Sequence, residues 1–251
     1  MQHAQEQARG FAYYGFQPPA GSLLLRNRGH DGAETLNGLH ATKRRSERDV
    51  QLIRAGDPAA PLLTILSGWA FRYSMLPNGR RQILGIYLPG DTIGLDTLLT
   101  GAPVYPVQCA GSVTYSVISH GQAALLAAEA PWFQREALQA LARGRAGAEA
   151  ALTRLGQCSA EERLASVFLE LHERLAGRGL AGNGSFILEL TQQQLADLVG
   201  LNSAHLNRVL QRLKARKLVA LAGHRITLLD MGSLECLALR PGSAAELRQA
   251  S

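Results

Sequence analysis

The stretch Thr191-Gln192-Gln193-Gln194-Leu195-Ala196-Asp197-Leu198-Val199-Gly200-Leu201-Asn202-Ser203-Ala204-His205-Leu206-Asn207-Arg208-Val209-Leu210-Gln211 decides how this chain of 251 residues reads. Thr191 followed three residues later by Gln194 is a capping box, so a helix begins here. Leu195, Leu198 and Val199 give that helix an inner face, and Gly200 supplies a turn. Asn202 or Ser203 then caps a second helix. Leu206, Val209, Leu210 and Leu213 fall on it at i, i+3, i+4 and i+7, one buried stripe. Small Ala196 stands where two crossing helices must come close. The spacing is that of a helix-turn-helix, whose second helix enters the major groove of DNA. The competing reading is a purely structural helical hairpin.

With its leucines turned inward, the second helix leaves Ser203, Ala204, Asn207, Arg208 and Gln211 facing outward, with His205 alongside. Arg208 can offer two donors to the O6 and N7 of a guanine, and Asn207 suits an adenine edge. Arg212, Lys214, Arg216 and Lys217 lie toward the far end and suit phosphates, contacts that position without specifying. At the start of the first helix, Thr191 and Gln192 sit beside free backbone N–H groups that suit another phosphate. Beyond the pair, Leu218 to Leu221, a turn at Gly223-His224 and Arg225 to Leu229 read as a two-stranded wing. His224 and Arg225 are expected near the minor groove or the backbone.

Charge is distributed to match. Six Arg or Lys residues and no acid lie between Ala204 and Leu229, whereas no Arg or Lys occurs from Gln82 to Gln134. One end of a chain of net charge +6 therefore suits a polyanion and the middle does not. For each basic residue alone, a solubilising surface charge is the plain alternative.

Upstream, residues 50–118 are short β-prone runs punctuated by turn chemistry: Gly56-Asp57-Pro58, Ser67-Gly68, Pro77-Asn78-Gly79, Pro89-Gly90-Asp91 and Gly111-Ser112. Strands are expected at Leu62 to Leu66, Trp69 to Tyr73, Gln82 to Leu88 and Val113 to Ile118, forming a β-roll. Asn78-Gly79 is a hairpin signal. Lys43-Arg44-Arg45-Ser46-Glu47-Arg48 reads as a solvated edge. After His120 the pattern becomes helical: Gln122 to Glu129, then a helix with Pro131 in its first turn. Phe133, Ala137, Leu141, Ala148, Leu152 and Leu155 form a stripe on it, and spacing alone leaves open whether that stripe packs on its own domain or on a second copy. Glu161 to Ala176 is a further amphipathic helix, followed by a glycine-rich break and a strand-like Phe186 to Leu190.

The order of these parts resembles the Crp/Fnr family of bacterial regulators. The resemblance is carried by Ser67-Gly68-Trp69-Ala70, Gly79-Arg80-Arg81-Gln82-Ile83, Leu88-Pro89-Gly90-Asp91-Thr92-Ile93-Gly94, Ala160-Glu161-Glu162-Arg163-Leu164-Ala165 and Leu190 to Leu221. Residues 1–35, rich in Gly, Gln and polar residues, read as an N-terminal extension outside the resemblance. The resemblance implies an α+β chain: a cyclic-nucleotide-binding-like β-roll over 36–126 and a dimerisation helix over 127–157. A winged helix-turn-helix follows over 158–240, with a tail over 241–251. It further implies a homodimer on a pseudo-palindromic site of double-stranded DNA, with RNA polymerase as a partner if the protein activates.

The departures from the family pattern carry as much as the matches. Leu95 stands near the acid of cyclic-AMP-binding members, and Val104-Tyr105-Pro106 near their arginine pair, so the usual cyclic nucleotide mode is not expected. The three cysteines, Cys109, Cys158 and Cys236, include none near the N-terminus, which excludes the family's iron–sulfur mode. His30, His40 and His120 read as surface histidines rather than haem ligands, and no cofactor or metal is expected. Ala204 replaces a glutamate common on the recognition helix, so the operator should differ where that residue reads.

No apolar run is long enough for a bilayer and Met1 to Gly10 is polar, so the expected address is the cytoplasm. No phosphate loop, nucleophile elbow or metal-ligand cluster points to an enzyme. The runner-up is a ligand-binding regulatory module that acts through protein partners, the helix-turn-helix serving only as a packing unit.

Overall fold

Turns between short β-prone runs produce three four-stranded antiparallel sheets in the computed structural model, which describes residues 42–238, two of them in the β-roll. The expectations for residues 1–35, for His30 and His40, and for the tail fall outside the described residues. Those residues form two compact units: 42–148 together with 189–198, and 149–188 together with 199–238.

In the first unit, strands β1 (Thr42–Ser46), β8 (Val113–Ile118), β3 (Leu62–Ser67) and β6 (Thr92–Ile93) lie side by side in that order. The second sheet runs β2 (Gln51–Ile53), β7 (Val107–Cys109), β4 (Ala70–Met75), β5 (Arg81–Tyr87). Ile53, Leu63, Ile65, Val107, Val113 and Tyr115 belong to one buried cluster of this β-roll. The four strands expected from sequence occur, each within two residues of its expected ends. β1, β2, β6 and β7 were not legible as strands. They are short, and β1 is a run of polar residues, Thr-Lys-Arg-Arg-Ser, with no apolar alternation. Its exposed cations fit the solvated edge that the sequence suggested, and such charges blunt an edge strand against further pairing.

Gly68 closes the connection from β3 to β4 at φ +79, and a Cβ there would overlap the Ser112 carbonyl oxygen. Neither the left-handed conformation nor a backbone carbonyl gives way cheaply. Gly68→Ala is therefore expected to cost about 3 kcal/mol, about half from the backbone conformation and the rest from displacement of the neighbouring strand. Urea unfolding followed by far-UV circular dichroism reads the loss, and a change below about 0.5 kcal/mol contradicts the strained-turn account.

Helix α1 (Thr97–Thr100) lies within the roll, between β6 and β7, and α2 (His120–Glu129) follows the roll, opened by a Ser119–Gln122 capping box. Helix α3 (Pro131–Gln157) starts at the proline, as expected. Its stripe divides. Phe133 is buried with Leu62, Leu95, Ile118, Ala123 and Leu126, and Ala137 and Leu141 pack at the edge of this cluster. Ala148, Leu152 and Leu155 remain exposed, as does Leu138, which lies outside the stripe. His120 is half-buried rather than on the open surface, with Nδ1 shielded from solvent.

The second unit opens with the end of α3 and helix α4 (Ala160–Ala176), capped by Ser159 and Glu162. Arg154 of α3 reaches Glu170 of α4 at 3.0 Å. Phe168 of α4 meets Phe186 edge-on at a centroid distance of 6.4 Å. The wing is larger than expected. β11 (Val219–Ala222) and β12 (Arg225–Leu228) continue through β10 (Ser185–Ile187) to β9 (Ala181–Gly182), a four-stranded sheet instead of a two-stranded ribbon. The predicted strand at Phe186 to Leu190 is shorter because Leu188 to Leu190 already lead toward the next helix, although Leu188 N–H still donates to the His224 carbonyl. Helix α7 (Met231–Leu237) closes this unit against α4.

Cys109 lies at the core of the β-roll, and burial, reinforced by the Glu47 and Asp49 carboxylates, pushes its thiol up to about 11. The folded state thus favours the neutral thiol, a contribution intact at neutral pH and lost as the pH rises toward that value. Iodoacetamide at pH 8 is expected to modify exposed Cys236 in the native protein and Cys109 only after unfolding. Equal labelling of the two in the native state contradicts the buried placement.

Candidate nucleic-acid interface

Both expected helices form. Helix α5 (Gln192–Val199) is opened by the Thr191 box: Gln194 N–H donates to Thr191 Oγ1 at 3.1 Å, and Thr191 N–H donates to Gln194 Oε1 at 2.8 Å. Gly200 turns the chain at φ +67, and Asn202, not Ser203, caps α6 (Ser203–Ala215), accepting from His205 N–H at 2.8 Å. Leu195, Ala196 and Val199 are buried on α5, and Leu206, Val209, Leu210 and Leu213 on α6. Truncating any one of those α6 side chains to alanine would remove core contacts worth about 2–4 kcal/mol.

What remains outward is Ala204, Asn207, Arg208, Gln211, Arg212 and Ala215 on α6, followed by its C-cap residue Arg216. Ser203, His205 and Lys214 are half-buried at its flanks. Asn207, Arg208 and Gln211 carry no hydrogen bond or ion pair among the described residues. At about 100° per residue, Ala204, Arg208 and Gln211 share the middle of the exposed face, with Asn207 at one edge and the ladder Arg208, Arg212, Arg216 running along the other. Gln192 is exposed at the start of α5, beside half-buried Thr191. On the wing, Arg225 and His224 are exposed, His224 Nδ1 lying 3.2 Å from the Leu188 carbonyl oxygen.

Two acids near these elements were not assigned roles by sequence reasoning. Glu161, in the first turn of α4, lies 3.0 Å from Arg212 and 3.2 Å from Arg216 through separate carboxylate oxygens. Two of the cations expected on phosphates are thus ion-paired, although both stay open to solvent. Asp197 of α5 lies 2.7 Å from Arg81 of β5, with side-chain exposures of 8% and 19%, and accepts from Gln193 Nε2 at 2.7 Å. Gln82 Nε2 adds a bond to the Leu198 carbonyl at 3.3 Å. An acid on the inner face of α5 was the only available hint, and its partner is 116 residues away.

In the β-roll, Leu95 is buried, while Val104 and Tyr105 are exposed. The cation-free window from Gln82 to Gln134 is not without a cation in space, because Arg72 of β4 reaches Asp96 at 3.8 Å.

A β-roll followed by a long helix and a winged helix-turn-helix with a polar, cationic outer face defines a DNA-binding regulator. The chain matches the Crp-like helix-turn-helix domain over residues 162–237 and the cyclic nucleotide-binding domain over residues 43–129. It is 30% identical over 183 residues to the nitrogen fixation regulation protein FixK of Bradyrhizobium diazoefficiens, covering 72% of this chain and 76% of that one. It is 28% identical over 193 residues to the transcriptional activator protein anr of Pseudomonas aeruginosa, covering 76% and 77%. Of solved structures, FixK2 from Bradyrhizobium japonicum superposes with a TM-score of 0.71 at 22% identity, over 81% of this chain and 100% of that one. The chain belongs to the Crp/Fnr family of DNA-binding transcription regulators.

Proposed function

We propose that the protein binds a pseudo-palindromic promoter site as a homodimer, reading bases through α6. The observation that carries this is the division of α6: four leucine or valine side chains are buried, while Asn207, Arg208 and Gln211 stand exposed and unengaged. Arg208 is the guanine-reading residue and Asn207 the second base contact, with Ser203, Ala204, His205 and Gln211 lining the groove. Thr191, Gln192, Arg212, Lys214 and Arg225 take the backbone.

The second copy sits on α3. Leu138 and Leu152 are two heptads apart, and Leu141, Ala148 and Leu155 are spaced by heptads beside them, the intervening seam position being Arg145. Gly144 and Gly147, with open space around their Cα atoms, permit close approach there. In support, Leu138 and Leu152 are large apolar side chains left exposed on a single chain.

The effector is not cyclic AMP bound in the family's usual way: Leu95 supplies no carboxylate and Val104-Tyr105-Pro106 no guanidinium for the ribose and phosphate. An unpaired phosphate would pay a desolvation cost of several kcal/mol there. The site of action is the cytoplasm, where the DNA is; no helix among the described residues is long and apolar enough to cross a membrane. If the protein activates, RNA polymerase is its partner.

Selection of bound duplexes from a random pool with the purified protein tests the reading. An inverted repeat is expected, its half-sites about one helical turn apart. Enrichment of no sequence, or of a single non-repeated element, overturns it.

A further inference from the structure

The ladder Arg208, Arg212, Arg216 on α6 is not electrostatically uniform. Arg208 makes no ion pair among the described residues, whereas Arg212 and Arg216 share the Glu161 carboxylate, one on each oxygen. Glu161 is only 20% exposed and the two arginines 56% and 52%, so the acid is fixed while the cations on it face solvent. Its position in the first turn of α4 holds it further, since the helix dipole there favours a carboxylate. Two like charges one turn apart on a helix would otherwise repel.

We propose that Glu161 sets the sequence-independent part of DNA affinity through Arg212 and Arg216, offsetting one of the two positive charges they present to phosphates. The inference rests on the DNA-binding reading above. Non-specific affinity grows with each phosphate neutralised, whatever the sequence, whereas a base-reading arginine discriminates. With Glu161 in place, the trio Glu161, Arg212 and Arg216 adds one net positive charge to the phosphate-facing surface. Without the carboxylate the two arginines add two, and every DNA sequence benefits equally. Glu161 thus holds down the phosphate-driven part of binding on operator and background alike. It touches no base itself and is a positioning and charge-setting residue.

The test uses the full chain and two duplexes, the selected operator and a shuffled sequence of equal length, titrated from 0.05 to 0.3 M KCl. For Glu161→Gln the slope of log K against log salt on shuffled DNA is expected to steepen by about 0.9, one added phosphate contact. At 0.15 M salt that corresponds to roughly fivefold tighter binding, on the shuffled duplex and on the operator alike. The double variant E161Q/R212Q, which removes one charge of each sign, should return the slope to the wild-type value. The pair R212Q and E161Q/R212Q reads the same quantity should E161Q not fold, the second being steeper than the first by the same amount. Unchanged slopes on removal of Glu161, or a gain confined to one of the two duplexes, overturn the proposal. A wild-type protein without sequence preference instead removes the base-reading function while leaving the slope comparison intact.

Discussion

Leu152→Glu is expected to turn the protein from a dimer into a monomer at micromolar concentration and to abolish operator binding at concentrations where the wild-type protein saturates it. Leu152 is 73% exposed on one chain, so the substitution leaves the packing of that chain untouched. In a two-helix seam the change occurs twice. Each lost leucine withdraws about 1.5–3 kcal/mol of burial, and the two carboxylates would face each other without a partner. A loss of this size weakens association by roughly a thousandfold or more. DNA binding falls with it, because two half-sites held by one dimer convert the second contact into an intramolecular one. Sedimentation velocity reads the oligomeric state and circular dichroism the fold. A Leu152→Glu protein that sediments as the wild type does would show that α3 is not the seam.

Arg208→Ala is the second large effect, and its signature differs. Replacing the guanine-reading side chain should cost about 1–3 kcal/mol per half-site on the operator, roughly tenfold to a hundredfold for each arginine lost. Binding to shuffled DNA should change much less, and the base preference should relax at one position in each half-site. Arg208 is exposed and makes no ion pair among the described residues, so fold stability should not move by more than about 0.5 kcal/mol. A uniform loss on all sequences would instead assign Arg208 to a phosphate.

The sequence made the DNA-binding end legible because its signals are local. Capping at Thr191, the turn at Gly200 and the leucine stripe of α6 are each set within a few residues, and the structure contains all three. The β-roll strands with apolar alternation were legible for the same reason. Polar β1 was missed because it forms by pairing with β8, 67 residues on at the Ser46–Val113 end and 75 at the Thr42–Val117 end, and no local pattern demands it. Extending the wing into a four-stranded sheet likewise depends on β10, which sequence reading placed before the helix-turn-helix without a partner.

Charge was misread in the opposite direction. An acid-free run from Ala204 to Leu229 suggested cations open to phosphate, yet Glu161 arrives from α4 and pairs two of them. The window from Gln82 to Gln134 holds no cation in sequence, yet in space Arg72 stands beside its Asp96. Helical and strand periodicity is a property of neighbours in sequence, whereas electrostatics is a property of neighbours in space. Residues such as Asp197, Arg81 and Glu161 therefore emerged only with the fold.

The central claim is that the outer face of α6 reads base sequence. The most direct measurement is the ratio of wild-type affinities for the selected operator and its shuffled counterpart at about 0.15 M salt, repeated with Arg208→Ala. The account predicts a wild-type ratio of about a thousand or more, and a ratio at least tenfold smaller for the variant. Equal affinities for the two duplexes, or a ratio indifferent to residue 208, would contradict it.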